Sequence, residues 1–382
     1  MRTSALRLEE IAEPENLRWA FLRAARGKAA RPEVIAFRAA LNVELAFLRS
    51  SLLAGTAAVG EVRRFRIFEP KERVIHAPAF RERVLHHALV AGCEPEWERR
   101  LIDDSYACRR RKGREAALRR AEGFTRRHRW FLKLDVAKYF DSIPHEHLLA
   151  EVGARFRDPR VVALWARIVR AYSSSPGRGL PIGALTSQHL ANSFLAPIDR
   201  LVKETLRVPG YVRYMDDMVL WSDDRMELKD AKQVIERALA VRGLRLKSTW
   251  HLQPMGRGLD FIGYRLRPEG TGLARASRRR FLRRWAWLER AREAGRLGAM
   301  ETQRRALALA AFVRVAKGEH LLRRLFGAAP KETGHRARIA STAAAAGTTM
   351  PAIAAPRIAT AIRQATATTT SASASPSAQP RG

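Results

Sequence analysis

Apolar residues in the first sixty positions recur at helical spacing, at Leu17, Phe21 and Ala24 and then at Phe37, Leu41, Leu45 and Leu48. A stripe repeating every three or four residues marks one buried helix face, and here it predicts two or three helices ending near Gly55 to Gly60. The pattern then changes. Val62-Arg-Arg-Phe-Arg-Ile-Phe-Glu-Pro70 mixes apolar and charged positions as a half-exposed strand does, and a Pro-Lys turn leads to a second strand through Arg73-Val-Ile-His-Ala77. Such a basic hairpin suits either a lid over a triphosphate or a charged edge that resists aggregation.

Further along, Phe131-Leu-Lys-Leu-Asp135 reads as a hydrophobic strand with a carboxylate near its end, followed by a turn toward a helix starting around His145. Tyr211-Val-Arg-Tyr-Met-Asp-Asp-Met-Val-Leu-Trp-Ser222 places Asp216 and Asp217 between two short runs of β-formers, predicting strand, tight acidic turn and return strand. Arg275 to Phe326 predicts one or two basic helices carrying Trp285, Trp287, Leu288 and Phe312. Their apolar stripe is expected to pack on the preceding mixed region and their arginine face to remain outside. From about Gly327 the chain turns to Ala, Thr, Ser and Pro without an aromatic residue. Such a segment cannot bury enough apolar surface to offset its ordering entropy, so Pro330 to Gly382 is expected to be disordered. The predicted organisation is an α+β chain with a helical region over 1–60, a mixed region over 61–270, a helical region over 271–327 and a low-complexity tail over 328–382.

Charge narrows the class of partner. Lys and Arg number 71 against 38 Asp and Glu, for a formal charge of +33. An excess of this size is the electrostatic footprint of a protein that works on nucleic acid. No apolar run reaches the roughly 18 residues that a spanning helix needs, so no membrane partner is expected. Met1 to Glu10 lacks a signal-peptide core. Cys93 and Cys108 are too few for a disulfide framework or a zinc site. Both features lead to the expectation of a cytoplasmic protein. The densest basic run, Arg109-Arg-Arg-Lys-Gly-Arg114, is either a phosphate contact, with Gly113 allowing close backbone approach, or a solvated charged face.

Against this background the acidic turn is the chemically informative element. Adjacent carboxylates in a basic chain make sense when divalent cations neutralise them and in turn hold a phosphate. If the Asp135 strand pairs with the Asp216 hairpin, three carboxylates converge as a two-metal nucleotidyl transfer requires. Asp141 competes locally for the metal role, but its position toward a helix start favours a capping or turn role.

At this point the motifs match a known family. Leu134-Asp135, Gly183-Ala-Leu-Thr-Ser-Gln188, Tyr214-Met-Asp-Asp217 and Leu259-Asp-Phe-Ile-Gly-Tyr264, in this order, resemble the palm of reverse transcriptases, within a likeness running from about Glu10 to Phe326. The resemblance implies a right-hand polymerase with fingers, palm and thumb that uses two Mg2+ ions and dNTPs on an RNA template. It implies that Asp135, Asp216 and Asp217 hold the metal ions and carry the catalysis. It further implies that Lys71 and Arg73 grip the triphosphate, that Phe140 is the steric gate against ribonucleotides, and that Phe261, Gly263 and Tyr264 belong to the primer grip. The helices after Arg275 would be a thumb tracking an RNA–DNA duplex. Lys247 is the nearest candidate for the family's proposed acid, but its spacing is not a clean match and the role stays open.

One departure refines the resemblance. Most reverse transcriptases have Gln-Gly where this chain has Ile182-Gly183, and here Gln188 follows Ser187. With Asp104-Ser-Tyr-Ala-Cys-Arg109 and Arg81-Glu-Arg-Val-Leu-His-His87, this looks like the enzymes of diversity-generating retroelements. These misincorporate opposite template adenine and act with a structured template RNA and a small basic oligomeric accessory protein. Exchanging an amide for an aliphatic side chain removes a hydrogen-bond partner near the templating pair; the alternative is that Ile182 is a packing residue. A retron-like or group II intron-like reverse transcriptase, an RNA-templated repair enzyme and a non-catalytic RNA-binding scaffold of the same fold are the other readings.

Overall fold

A computed structural model of the chain describes residues 3–68 and 72–316. Lys71 and the low-complexity tail therefore lie outside the described residues. The expected α+β class is observed. The described residues form two compact units, one within Met1–Ile262 together with Arg267–Glu269 and the other from Gly263–Leu266 with the described chain from Gly270.

The first unit begins with α1 (Leu8–Ile11), α2 (Pro14–Ala25), α3 (Pro32–Ala39) and α4 (Leu41–Leu53). There are four helices where the periodicity predicted two or three. Pro14 and Pro32 sit at first helical positions, where the missing N–H is harmless, and so restart the chain as separate helices. The stripe is buried as expected at Leu17, Phe21, Phe37 and Leu48, with the Phe21 and Phe37 rings stacked at 5.5 Å.

β1 (Val62–Ile67) and β2 (Arg73–Pro78) form the antiparallel hairpin, closed by the Ile67 and Arg73 pair. The middle four residues of β1 are exposed, whereas His76 and Pro78 of β2 are buried. There follow α5 (Phe80–Glu98), α6 (Arg114–Arg127), β3 (Trp130–Asp135), α7 (Tyr139–Ser142), α8 (His145–Gly153), α9 (Pro159–Arg170), α10 (Leu185–Phe194) and α11 (Ala196–Arg200). Then come β4 (Gly210–Tyr214), β5 (Asp217–Ser222), α12 (Arg225–Val241), β6 (His251–Pro254) and β7 (Leu259–Phe261). Asp141 proves not to be a helix cap. It lies inside the single turn of α7, and Pro144 occupies the N-cap position of α8.

The central sheet has the order β4-β5-β3-β6, antiparallel at every pairing. Successive side chains of a strand point to opposite faces. On one face Leu132, Leu134, Met218 and Leu220 join the main core with Leu228, Ile235 and Leu239 of α12. On the other, Trp221 stacks on Phe124 of α6 with ring centroids 5.4 Å apart. Covered on both sides, β5 reads as a continuous apolar run from Met218 to Trp221.

The second unit contains β8 (Tyr264–Arg267), β9 (Gly270–Leu273), α13 (Arg275–Glu293) and α14 (Ala299–Arg314). The apolar stripe of α13 finds its partner in α14. Phe281, Trp285 and Leu288 pack with Ala306, Ala310 and Val313 into a small core. Trp287 is instead largely exposed, with the Arg305 guanidinium 5.6 Å over its ring.

Two imidazoles in the first unit give stability a pH dependence. Burial pushes the pKa of His87 on α5 and that of His189 on α10 down to about 4, and His189 stacks on Trp97 at 5.7 Å. An unfolded histidine titrates near 6.5, so between those values the unfolded chain binds more protons and stability falls as pH falls. Thermal unfolding at pH 7 and pH 5 is expected to give a lower midpoint at the acid value. His189→Phe, which keeps the stacking and removes the titration, narrows the difference.

Candidate active site

The register of the central ladder brings the acidic residues together. β3 and β5 pair so that Asp135 faces Asp217 directly, and Lys133, two residues earlier, projects on the same face as Asp135. Asp216 sits in the two-residue turn between Tyr214 and Asp217, which are themselves a ladder pair. The three carboxylates expected to converge therefore do so.

This turn has a conformational cost. Met215 has φ +58°, a conformation that two-residue hairpins usually reserve for glycine at that position. Arg213 supports it. Its side chain is fully buried, and all five of its N–H donors are used. Nε and Nη2 each donate at 2.6 Å to one oxygen of Asp199, Nη1 donates to Asn192 Oδ1 at 2.8 Å and to the Met215 carbonyl at 3.0 Å, and Nη2 also donates to the Asn192 carbonyl at 3.0 Å. Tyr211 Oη adds a 2.7 Å bond to Asp199. Burial opposes the guanidinium charge, and the Asp199 carboxylate more than offsets this, so Arg213 is held above its ordinary pKa. The backbone of Arg213 is paired as well, with the Asp104 carbonyl and the Tyr106 N–H, so that the Asp104 segment extends the sheet beyond β4.

Two lysines contact the carboxylates. Lys247 Nζ lies 2.5 Å from Asp135 Oδ2, and Lys133 Nζ donates to Asp217 Oδ2 at 3.2 Å and to the Asp260 carbonyl at 2.7 Å. The opposite oxygens, Asp135 Oδ1 and Asp217 Oδ1, are buried without a hydrogen-bond partner. Burial, reinforced by the neighbouring Asp135, raises the Asp216 carboxyl to about 6. Burial also raises Asp217, with Lys133 pulling the other way.

The remaining expected residues belong to the first unit or lie in the second. Phe140 is half-buried beside Tyr139, and its carbonyl accepts from the Leu180 N–H at 2.8 Å. The Ile182 carbonyl accepts from His76 N–H of β2 at 2.8 Å. Gly183 has φ +118°, and a Cβ there would fall 2.7 Å from Ile75 Cγ2, so the motif is fitted against the hairpin and requires glycine. Ser187 is buried on the first turn of α10, and Gln188 Oε1 is 3.5 Å from Cys108 Sγ. Arg73 is exposed at the start of β2. Phe261 is buried at the end of β7, whereas Gly263 and Tyr264 belong to the second unit, where Tyr264 Oη donates to the Phe312 carbonyl at 3.0 Å.

The basic run is not a uniform phosphate contact. Arg109 turns inward and binds Glu98 and the carbonyls of Ile102 and Ser105, and Lys112 binds Asp103. Sequence reasoning passed over Lys133, Asn192, Asp199 and Arg213. The available signal for Lys133 and Arg213 was a charged residue standing inside a run of β-formers.

Among the described residues, no three His, Cys, Asp or Glu side chains close into a finished metal cage. The donor chemistry nevertheless fits magnesium. Mg2+ binds one or two carboxylates, keeps several waters and takes substrate phosphates as further ligands, and the two unpartnered carboxylate oxygens are hard donors of that kind.

Residues 69–266, which include β2, the acidic sheet and most of β8, match the family described as reverse transcriptase (RNA-dependent DNA polymerase). The chain belongs to the reverse transcriptase family. Family membership and the observed α+β architecture agree with the right-hand polymerase class. Relatives of this reverse transcriptase include protein YkfC of Escherichia coli K12, 31% identical over 183 residues that make up 44% of this chain and 47% of YkfC. Another is the group II intron-encoded protein LtrA of Lactococcus lactis subsp. cremoris, 26% identical over 162 residues, 40% of this chain and 27% of LtrA. The chain thus spans less than half the length of either. Among solved structures, apo telomerase from Candida tropicalis is similar with a TM-score of 0.43 and 10% identity, over 60% of this chain and 52% of that one. No helix among the described residues is long and apolar enough to cross a membrane.

The buried network yields a stability prediction. Asp199→Asn leaves the Arg213 charge without its counter-ion and is expected to cost about 3–5 kcal/mol. Urea unfolding monitored by tryptophan fluorescence measures it, and a cost below about 1 kcal/mol would remove the network from its supporting role.

Proposed function

We propose that this reverse transcriptase copies a template RNA into cDNA by two-metal nucleotidyl transfer, with Asp135, Asp216 and Asp217 holding the ions. The observation that carries the reading is the β3–β5 register, which sets Asp135 against Asp217 and beside the Asp216 turn, inside the segment matched by the family. Bound magnesium would supply Lewis-acid stabilisation of the primer 3′-oxygen and of the triphosphate. The protein's own residues position the reactants. Arg73, exposed at the hairpin, is suited by its forked guanidinium to grip an incoming triphosphate, and Lys71 is assigned the same role from the family pattern. Phe140 crowds a ribose 2′-hydroxyl and so selects deoxynucleotides. Phe261, Gly263 and Tyr264 form the primer grip, and the arginine-rich helices α13 and α14 track the backbone of an RNA–DNA duplex. In this reading residues 61–270 are fingers and palm, and residues 271–327 are thumb.

The finer reading is an error-prone enzyme of a diversity-generating retroelement, working with a small basic oligomeric accessory protein in the cytoplasm. It rests on Ile182, which stands where an amide is usual, with Gly183, Ser187 and Gln188 completing the template-side motif against β2. The similarity to LtrA favours the other reading, a group II intron-like reverse transcriptase that copies accurately.

Primer extension with magnesium and dNTPs on an adenine-containing RNA, followed by product sequencing, separates these readings. Synthesis is expected from the unsubstituted chain and to fall at least about a thousandfold in Asp216→Asn, the scale of losing a principal source of transition-state stabilisation. Errors concentrated at template adenines, reduced by Ile182→Gln, support the retroelement reading, and uniform fidelity supports the intron-like one. Absence of synthesis with cellular RNA and accessory protein supplied would return the chain to an RNA-binding scaffold. In the same assay Phe140→Ala is expected to raise ribonucleotide use relative to deoxynucleotide use by about tenfold or more, while an unchanged ratio assigns Phe140 to packing alone.

A further inference from the structure

Lys133 stands apart from the roles assigned above. Its strand is apolar apart from Lys133 itself and Asp135 two residues later, and 22% of its side chain is exposed. It bridges two points that the fold must hold together, Asp217 Oδ2 at 3.2 Å and the Asp260 carbonyl at 2.7 Å, the latter immediately ahead of Phe261. Like charges directly opposite each other in a ladder repel, and Asp135 faces Asp217. Without cations this arrangement opposes its own folding. Lys247 covers Asp135, and Lys133 covers Asp217. Each lysine takes one oxygen, Oδ2, and leaves Oδ1 of the same carboxylate buried and unpartnered.

We propose that Lys133 is a positioning residue that acts as a resident counter-cation. It holds Asp217 in its site-facing orientation while no metal is bound, and competes with the metal for the negative charge of that carboxylate. The inference rests on the two-metal reading, but it concerns the metal-free protein. A lysine is suited to the part because its ammonium is a compact charge on a flexible stem that can withdraw when a divalent ion takes over the neutralisation. Two consequences follow from a single positive charge so close to the carboxylates. Removing it weakens the metal-free fold, and it strengthens divalent binding because one competing charge is gone.

Thermal unfolding of the full chain, in EDTA and across a Mg2+ titration, tests this, with bound Mn2+ counted by electron paramagnetic resonance as a second readout that needs no catalysis. Lys133→Met is expected to lower the midpoint in EDTA and to reduce the Mg2+ concentration giving half of the stabilisation by about tenfold, the scale of one unit charge a few ångströms away in a partly screened site. Lys133→Arg keeps the charge and should track the unsubstituted protein, as should Lys229→Met, which removes an exposed cation from α12. Lys133→Gln repeats the measurement with a polar side chain should the apolar one impair folding. A merely structural lysine would lower the midpoint in EDTA and leave the half-saturating Mg2+ and Mn2+ concentrations unchanged, which would overturn the proposal. If the unsubstituted protein gains no Mg2+-dependent stability that Asp216→Asn removes, the two-metal reading itself fails and this inference fails with it.

Discussion

The buried pair of Arg213 and Asp199 is the interaction on which the site depends. A guanidinium removed from water is tolerable only if every donor is met, and here all five are, by Asp199, Asn192 and the Met215 carbonyl. One of those acceptors is the residue that must adopt a left-handed conformation for the acidic turn to close. The pair therefore converts a strained two-residue turn into a fixed one. Because the same side chain reaches Asn192 on α10, the turn carrying Asp216 and the helix carrying Ser187 and Gln188 share a single support.

The electrostatics of the centre follow from the same enclosure. Burial at one end of a covered sheet, with a further carboxylate close by, raises the proton affinity of Asp216 and Asp217. The chain meets this with two lysines, Lys133 of β3 and Lys247 ahead of β6, each bonded to one carboxylate. Two carboxylate oxygens are thus left without partners, a state that is costly in a resting protein and useful in one that receives divalent ions. A surplus of positive charge over the whole chain does not relieve this local crowding, because Coulomb energy at these distances is set by the nearest groups.

The hairpin of β1 and β2 joins a basic surface to a tightly fitted interior. Its exposed arginine edge is what a polyanion would meet first, and its inner strand fixes the Ile182-Gly183 motif by a backbone bond and by contact too close for any side chain. The exposed arginines of the hairpin are therefore connected through β2 to the Ile182-Gly183 motif. The basic hairpin and the Ile182-Gly183 motif are joined in one structural element.

Several features were legible in the linear sequence because their causes are local. Alternation and periodicity gave β1 to β5 and α8, and the order of short motifs led to the family, whereas periodicity gave two or three amino-terminal helices where Pro14 and Pro32 help to divide the region into four. The acidic turn was visible because adjacent carboxylates between β-formers repel each other unless something neutralises them. What the sequence left open depends on residues distant along the chain. Asp141 looked like a cap until Pro144 took that position, Arg109 looked like a phosphate contact until Glu98 and two carbonyls drew it inward, and nothing near Asp199 marks it as the partner of Arg213. Lys133 reads as an ordinary strand residue until the antiparallel register sets it beside Asp217. The sequence by itself determined which elements form and which chemistry is present, since both follow from neighbours within a few residues. Only the tertiary structure decided which charges are paired and which are left to act, because burial and long-range pairing set the energy of a charge, and neither is written in its immediate neighbours.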